Sequence, residues 1–470
     1  MGFAMGQMLI KNGTFITMDS KRRIIKDGNL LVSGNRIQEI GKSDEIESKY
    51  DLEKTIDAKG KVVLPGLVNT HTHLFQTLLK GLGADRTLID WFRKMTAPAA
   101  SHLTQKDVQI AALLGCLDAV KSGTTCIAEY NYINPTPGFS NSIIGALQDF
   151  GIRGIYIRSW TDAGQDLELP EGIIEKTEDA INDTERVMKE FNGAGNGMIH
   201  VWAGPCAIWQ VTTESLLASR ELADKYNTGI SIHVSETPFF SEYSKRKYEM
   251  GDLDYYNSLG ILGPDVLAVH CCWLTERDIR ILKGNGVKVS HNPVSNMLLS
   301  DGIAPIPRMV ESGITVGLGT DGAASNDNQD MMAVLKFAAL LHKVGAVQDP
   351  TVITAEKILE MATIDGARCL GLESQIGSLE EGKKADIIII DPKTPNVVPV
   401  HYLPSSLVYC ATSENVNTVI VDGNVVMENR KILTVNETEI LEQAQKAADS
   451  LVDRSGITEC RERSWRAMAW

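Results

Sequence analysis

The sequence predicts an α/β fold: a (β/α)8 TIM-like barrel carrying a small β-sandwich domain formed from both chain ends. Three observations carry this. Eight apolar runs of strand length alternate with amphipathic helical stretches over about 310 central residues. A β-rich segment stands at each end of the chain. At 470 residues, 43% hydrophobic and 23% charged, the chain can bury one large core and a smaller one.

From Met8 to Lys61 short alternating or apolar runs (MLIKNGTFITM, NLLVSGNRIQEIG, EKTIDAKGKVV) are broken by turn residues, the pattern of short strands. The eight runs that follow are VVLPGLVNT, GTTCIAEY, GIRGIYIRS, GMIHVWAGP, GISIHVSE, VLAVHC, VKVSHNP and ITVGLGTD. They are continuously apolar, as expected of parallel strands buried on both faces. Beyond them, the runs from Ala385 to Asp391 and from Val416 to Val426 again read as strands with turns. The expected domains are residues 1–61 with 373–435 as one composite β-rich unit, 62–372 as the barrel, and 436–470 as a C-terminal helical extension. Helical apolar spacing from Glu439 through Arg454 suits packing on a neighbour or on the chain's own barrel.

A net charge of −14 and a pI near 5.2 disfavour nucleic acid and anionic membrane surfaces as partners, and leave a small neutral or cationic molecule as the better fit. No apolar run approaches the roughly 20 residues of a membrane span, and the start lacks a secretory pattern. Eight scattered cysteines without a CxxC pair suit a reducing, cytoplasmic setting.

Function in such barrels sits at the C-terminal strand ends. Run one ends in His71 and His73, run five carries His233 and Glu236, run six ends in His270 and run eight in Asp321, so four of the nine histidines fall there. Residues i and i+2 of a strand share a face, which sets His71 beside His73. His71, His73, His233 and Asp321 are the expected ligands of one divalent metal, Zn²⁺ first and Fe²⁺ second. A metal so held lowers the pKa of bound water toward roughly 7. Glu236 can take the water's proton and pass it to a substrate nitrogen. His270 is either a fifth ligand or, the favoured role, a hydrogen-bonding group that stabilises charge beside the metal. Run four holds no lysine to bridge two ions, so a single metal is expected. His200 reads as a core histidine, and His291 as a substrate contact or a loop brace.

These residues resemble the amidohydrolase superfamily, in its branch of aminohydrolases and chlorohydrolases of heteroaromatic rings. The carrying motifs are PGLVNTHTHLFQT, the H-x-x-E of His233 to Glu236, AVHCCWL, VSHNPVSNMLLSDGIAPIPRM and GLGTDGAASND. The tail EKILEMATIDGARCLGLESQIGSLEEGKKADIIIID looks like the atrazine chlorohydrolase and melamine deaminase group. The resemblance implies the same four ligands, Glu236 and His270 in proton handling, and a homo-oligomer.

The implied reaction is hydrolytic deamination of an amino-substituted heteroaromatic ring such as an s-triazine, purine base, pterin or pyrimidine. Deaminases of S-adenosylhomocysteine and methylthioadenosine resemble the chain too. They carry a histidine where Cys206 stands, and a ribose-binding glutamate where this chain reads Ala97-Pro98-Ala99-Ala100. Sugar hydroxyls would go unpaired without that carboxylate, which favours a compact ring over a nucleoside. Gln76 resembles a substrate-binding amide of relatives that act on free heterocycles. Trp91 supplies a flat wall or a core side chain, and Ser325 and Asn326 are expected to orient substrate or a nearby water. The atrazine chlorohydrolase group places an asparagine after the metal-binding aspartate, where this chain has Gly322, which weighs against dechlorination. A barrel without activity, serving as a scaffold, would have lost ligands, and none is lost.

Overall fold

The computed structural model describes residues 6–42, 52–344 and 349–462. Strands β1 (Gln7–Ile16), β2 (Ile24–Ser33), β3 (Arg36–Gly41), β4 (Lys54–Asp57) and β5 (Val62–Pro65) build one sheet from the first chain end. Eight parallel strands follow: β6 (Leu67–Thr72), β7 (Thr124–Asn131), β8 (Arg153–Trp160), β9 (Ile199–Pro205), β10 (Ile230–Val234), β11 (Val266–His270), β12 (Lys288–His291) and β13 (Val316–Leu318). They form the barrel in sequence order, and Asp321 N donates to His71 O at 3.0 Å where the last strand's end meets the first strand. Each of the eight apolar runs supplies one of these strands.

The first run serves two sheets rather than one. Its Val62–Pro65 half pairs with the end sheet, and the barrel strand proper starts at Leu67. The junction is Gly66, where a Cβ would lie 2.0 Å from Thr125 Oγ1, so only glycine lets the chain pass from one sheet to the other.

Strands β14 (Ile387–Ile390), β15 (Val416–Val421), β16 (Asn424–Glu428) and β17 (Lys431–Ile432) complete the end sheet, in the order β17-β16-β15-β14-β5-β1-β2-β3 with β4 beside β1. The two chain ends therefore meet at β5 and β14, where Leu64 faces Ile388 in antiparallel register. Alternation along β14 explains its unbroken isoleucines: Ile388 and Ile390 enter the barrel core, while Ile387 and Ile389 enter a second core with Phe15, Leu30 and Val63. The sheet folds over this second core, because β3 reaches the segment before β14 through Ile37 N to Lys383 O at 2.9 Å.

Arg153 of β8 ties barrel to end sheet. Its Nε and Nη2 donate to Asp386 Oδ2 and Oδ1 at 2.9 and 3.0 Å, with both side chains almost fully buried. Asp386→Ala leaves this guanidinium with Asp422 as its only carboxylate partner, at 3.2 Å. We expect a loss of about 3–5 kcal/mol, the cost of breaking a buried pair, read as a lowered unfolding midpoint.

The helix Glu437–Ser455 packs on the chain's own barrel: Ile440, Ala444, Leu451 and Val452 are buried in the main core, and Arg454 Nη2 donates to Asp107 Oδ2 at 2.6 Å. All eight cysteines are free thiols, and among the described residues no helix is long and apolar enough to cross a membrane.

Candidate metal centre and catalytic pocket

At the C-terminal mouth of the barrel, His71 Nε2 and His73 Nε2 lie 3.2 Å apart, and Asp321 Oδ1 lies 3.4 and 3.2 Å from them. The His233 ring centroid is 5.0 Å from that of His71 and 5.4 Å from that of His270. All five side chains are buried. The carboxylate and imidazole nitrogens fall into two overlapping groups of ligand geometry, His71 with His73 and Asp321, and His71 with His233 and His270.

Hydrogen bonding decides which atoms face inward. His73 Nδ1 lies 2.6 Å from Tyr130 O, and His233 Nδ1 lies 3.0 Å from Cys206 O. A carbonyl only accepts, so both Nδ1 atoms carry hydrogen and both Nε2 atoms present lone pairs. His270 Nδ1 lies 2.8 Å from Asn296 Oδ1, which places its Nε2 the same way. Asp321 Oδ2 accepts from Ser295 Oγ at 2.5 Å and Ser325 Oγ at 3.0 Å, while its Oδ1 meets no donor. Lone pairs of His73, His233, His270 and Asp321 converge beside the His71 ring, a donor set of imidazole and carboxylate that a divalent cation fits.

Electrostatics agree. Burial, with His73 close by, holds His71 down to about 3. Burial likewise holds His233 well below its usual range and lowers His270. Burial alone would raise Asp321, but the imidazoles of His71 and His73 more than offset it, and the group stays a carboxylate. Neutral imidazoles and an ionised carboxylate are the forms that bind metal.

The backbone is bent to aim these groups. Ser235, His270, Cys271 and Asp321 adopt φ of 44°, 71°, 56° and 61°, a region that costs a non-glycine residue about 1–3 kcal/mol. Cys271 N to Val234 O at 3.0 Å and Ser235 N to Asp252 Oδ2 at 2.7 Å hold two of the bends.

Residues 62–426 match the family model described as "Amidohydrolase family". A 5'-deoxyadenosine deaminase of Methanobrevibacter smithii is 42% identical over 91% of this chain and 94% of its own. A 5-methylthioadenosine/S-adenosylhomocysteine deaminase of Desulforamulus reducens is 34% identical over 96% of this chain and 100% of its own. The crystal structure of an adenosine deaminase from Xanthomonas campestris with bound zinc superposes with a TM-score of 0.89 at 26% identity, over 95% of this chain and 99% of that one.

The chain belongs to the amidohydrolase family.

The pocket of this amidohydrolase lies over these side chains and encloses about 40 Å³. Glu236 lines it, with Oε1 3.5 Å from His270 Nε2. Burial, then the nearby carboxylates of Asp301 and Asp321, hold Glu236 well above the usual carboxyl range. Asp301 is pushed up to about 8 by burial and Asp321, and its buried oxygens find no donor apart from a protonated Glu236. Adjacent buried carboxyls cannot both ionise, so the pair retains a proton at neutral pH.

Trp91 and Cys206 also line the pocket, the indole Nε1 donating to Ala324 O at 2.8 Å and the thiol to Gln210 Oε1 at 3.2 Å. Three expected substrate contacts lie outside its lining. Ser325 braces the Asp321 carboxylate, and Asn326 Nδ2 donates to Thr320 O at 2.6 Å, bracing the loop. Gln76 is fully buried, with Oε1 accepting from Ala324 N at 3.3 Å and Nε2 donating to Tyr132 Oη at 3.0 Å. Its amide fills the space of a side chain at 322: a Cβ on Gly322 would lie 1.9 Å from Gln76 Oε1. Gly322, first met as a departure, is what admits Gln76. Gly322→Ala should overpack the site by about 1–3 kcal/mol. A lowered melting temperature in that variant, largely restored by adding Gln76→Ala, is the expected double-mutant result.

His200 and His291 also stay out of the pocket lining; His291 Nε2 sits 3.2 Å from His342 Nε2, a brace between buried rings. Sequence reasoning missed Ser295, Asp252, Asp301 and Tyr132. Ser295 and Asp301 stand inside a quoted motif and Tyr132 just past the second run, where an aromatic reads as core.

Proposed function

We propose that this amidohydrolase is a hydrolytic deaminase of a compact amino-substituted heteroaromatic ring, with one divalent metal, zinc first, held by His71, His73, His233 and Asp321. The observation that carries the reading is a buried carboxyl, Glu236, set in an aromatic-walled pocket with Oε1 3.5 Å from His270 Nε2 and beside the converged side chains. When bound, the cation supplies Lewis acidity that brings the ionisation of water toward neutrality. Glu236 holds the proton that a ring nitrogen needs as the amine-bearing carbon becomes tetrahedral, and then serves the departing ammonia. His270, its Nδ1 engaged by Asn296, directs Nε2 at the same region and stabilises developing charge. Trp91 gives the ring a flat face and excludes water.

Ring size follows from what the pocket lacks. Ala97, Ala99 and Ala100 are buried in a short helix, and Glu236 and Asp321 are the only carboxylates among the described lining residues. Neither is free to bind a sugar diol. A 5'-deoxynucleoside is the second reading, favoured by the relative at 42% identity. The test is ammonia release from guanine, 8-oxoguanine, isocytosine, a pterin, melamine, 5'-deoxyadenosine and adenosylhomocysteine, with chloride release from atrazine alongside. Turnover of a free ring supports the first reading, turnover confined to nucleosides the second, and chloride without ammonia contradicts both.

A further inference from the structure

The pocket holds polar groups that the deamination chemistry does not use, and they are hydrogen-bond donors. Tyr132 lines the cavity with 4% of its surface exposed. Its ring is clamped edge-on by His73 and Phe75, with centroids 4.8 and 5.1 Å away. Gln76 sets the polarity of its hydroxyl. Ala324 N–H can only donate, so the Gln76 atom 3.3 Å from it is the oxygen, and the Gln76 atom 3.0 Å from Tyr132 Oη is the NH₂ group. Tyr132 Oη therefore accepts from Gln76, and no described residue accepts the hydroxyl hydrogen in return. Trp209 lines the same cavity, 3% exposed, with its indole N–H also without a partner. Three other lining donors already have partners: Cys206 Sγ on Gln210 Oε1, Trp91 Nε1 on Ala324 O and Gln210 Nε2 on Thr161 Oγ1.

A buried donor left unpaired costs free energy that a ligand acceptor recovers. Resting on the proposed deamination, we propose that Tyr132 is a specificity-determining residue, its hydroxyl locked as a donor by Gln76, and that the substrate ring carries an oxo group to accept it. A carbonyl oxygen projects beyond the ring edge and offers two lone pairs, which suits a donor fixed in the wall. Gln76 acts through Tyr132 as a positioning residue.

The experiment uses the metal-loaded full chain and two probes without an amine to lose, 4-pyrimidinone and pyrimidine, titrated against tryptophan fluorescence. The wild type should bind pyrimidinone at least about tenfold more tightly than pyrimidine. Tyr132→Phe should narrow this preference to within about twofold, with metal content and melting temperature retained. An equal preference in Tyr132→Phe and wild type, or no preference in the wild type, overturns the proposal. Should Tyr132→Phe fail to fold, Gln76→Leu is read instead: a preference reduced about threefold supports the lock and an unchanged one overturns it. Ammonia release is scored separately. Amines hydrolysed with the preference untouched by Tyr132→Phe remove Tyr132 and leave the deaminase reading standing. A preference lost in Tyr132→Phe with no amine hydrolysed removes the deaminase reading and leaves the assignment of Tyr132.

Discussion

Glu236→Gln should keep its metal and lose at least about a hundredfold in turnover, the scale of a general acid–base group. Glutamine keeps the shape of the side chain and its hydrogen bonding but cannot deliver a carboxyl proton. The pocket offers no substitute within reach: burial holds His270 neutral, and Asp301 lies outside the lining residues. The measurement pairs steady-state kinetics with metal content on one sample. The loss should fall on kcat more than on KM, because the proton is needed as the tetrahedral carbon forms and not for binding. Turnover within a few-fold of wild type would remove Glu236 from the chemistry.

Asp321→Ala should abolish both metal retention and activity. It removes the carboxylate oxygen that lies among the imidazole nitrogens and meets no donor, and leaves Ser295 and Ser325 hydroxyls without their acceptor. Several kcal/mol of charge stabilisation go with the cation. At 1.36 kcal/mol per decade, a loss of about 4 kcal/mol is about a thousandfold in rate. Ser295→Ala spares the carboxylate but loosens it, and the expected fall in metal affinity is smaller, about 10- to 100-fold, as for other groups that orient a ligand. Metal stoichiometry after dialysis orders the variants. Full retention by Asp321→Ala contradicts the ligand assignment.

The barrel was legible because parallel strands buried on both faces write themselves as apolar runs, and because the histidines of the candidate metal centre fall where those runs end. Gly66 was not: the hand-off between sheets depends on Thr125, far along the chain, so the first run read as a single strand. Gln76 depends on distant contacts in the same way. Its place beside His73 suggests a pocket amide, but its direction is set by the room above Gly322 and by Ala324 N–H, contacts that spacing cannot express. Ser325 and Asn326 follow Asp321 closely in sequence and hydrogen-bond to its carboxylate and to Thr320 O, contacts that nearness in sequence foreshadows. Asp301 stands inside a quoted motif but Asp252 does not, and each matters only through the one group it meets, Glu236 or Ser235.

Hydrolysis of a ring amine at the His71, His73, His233 and Asp321 centre is open to a direct isotope test. Turnover of the responsive panel amine by the metal-loaded chain in ¹⁸O-water tests it most directly, with product mass and ammonia measured together. One ammonia should be released and one ¹⁸O atom should enter the new carbonyl for each ring consumed, and neither with Asp321→Ala. Product lacking ¹⁸O, or no ammonia from any ring amine by wild type carrying one metal per chain, would contradict it.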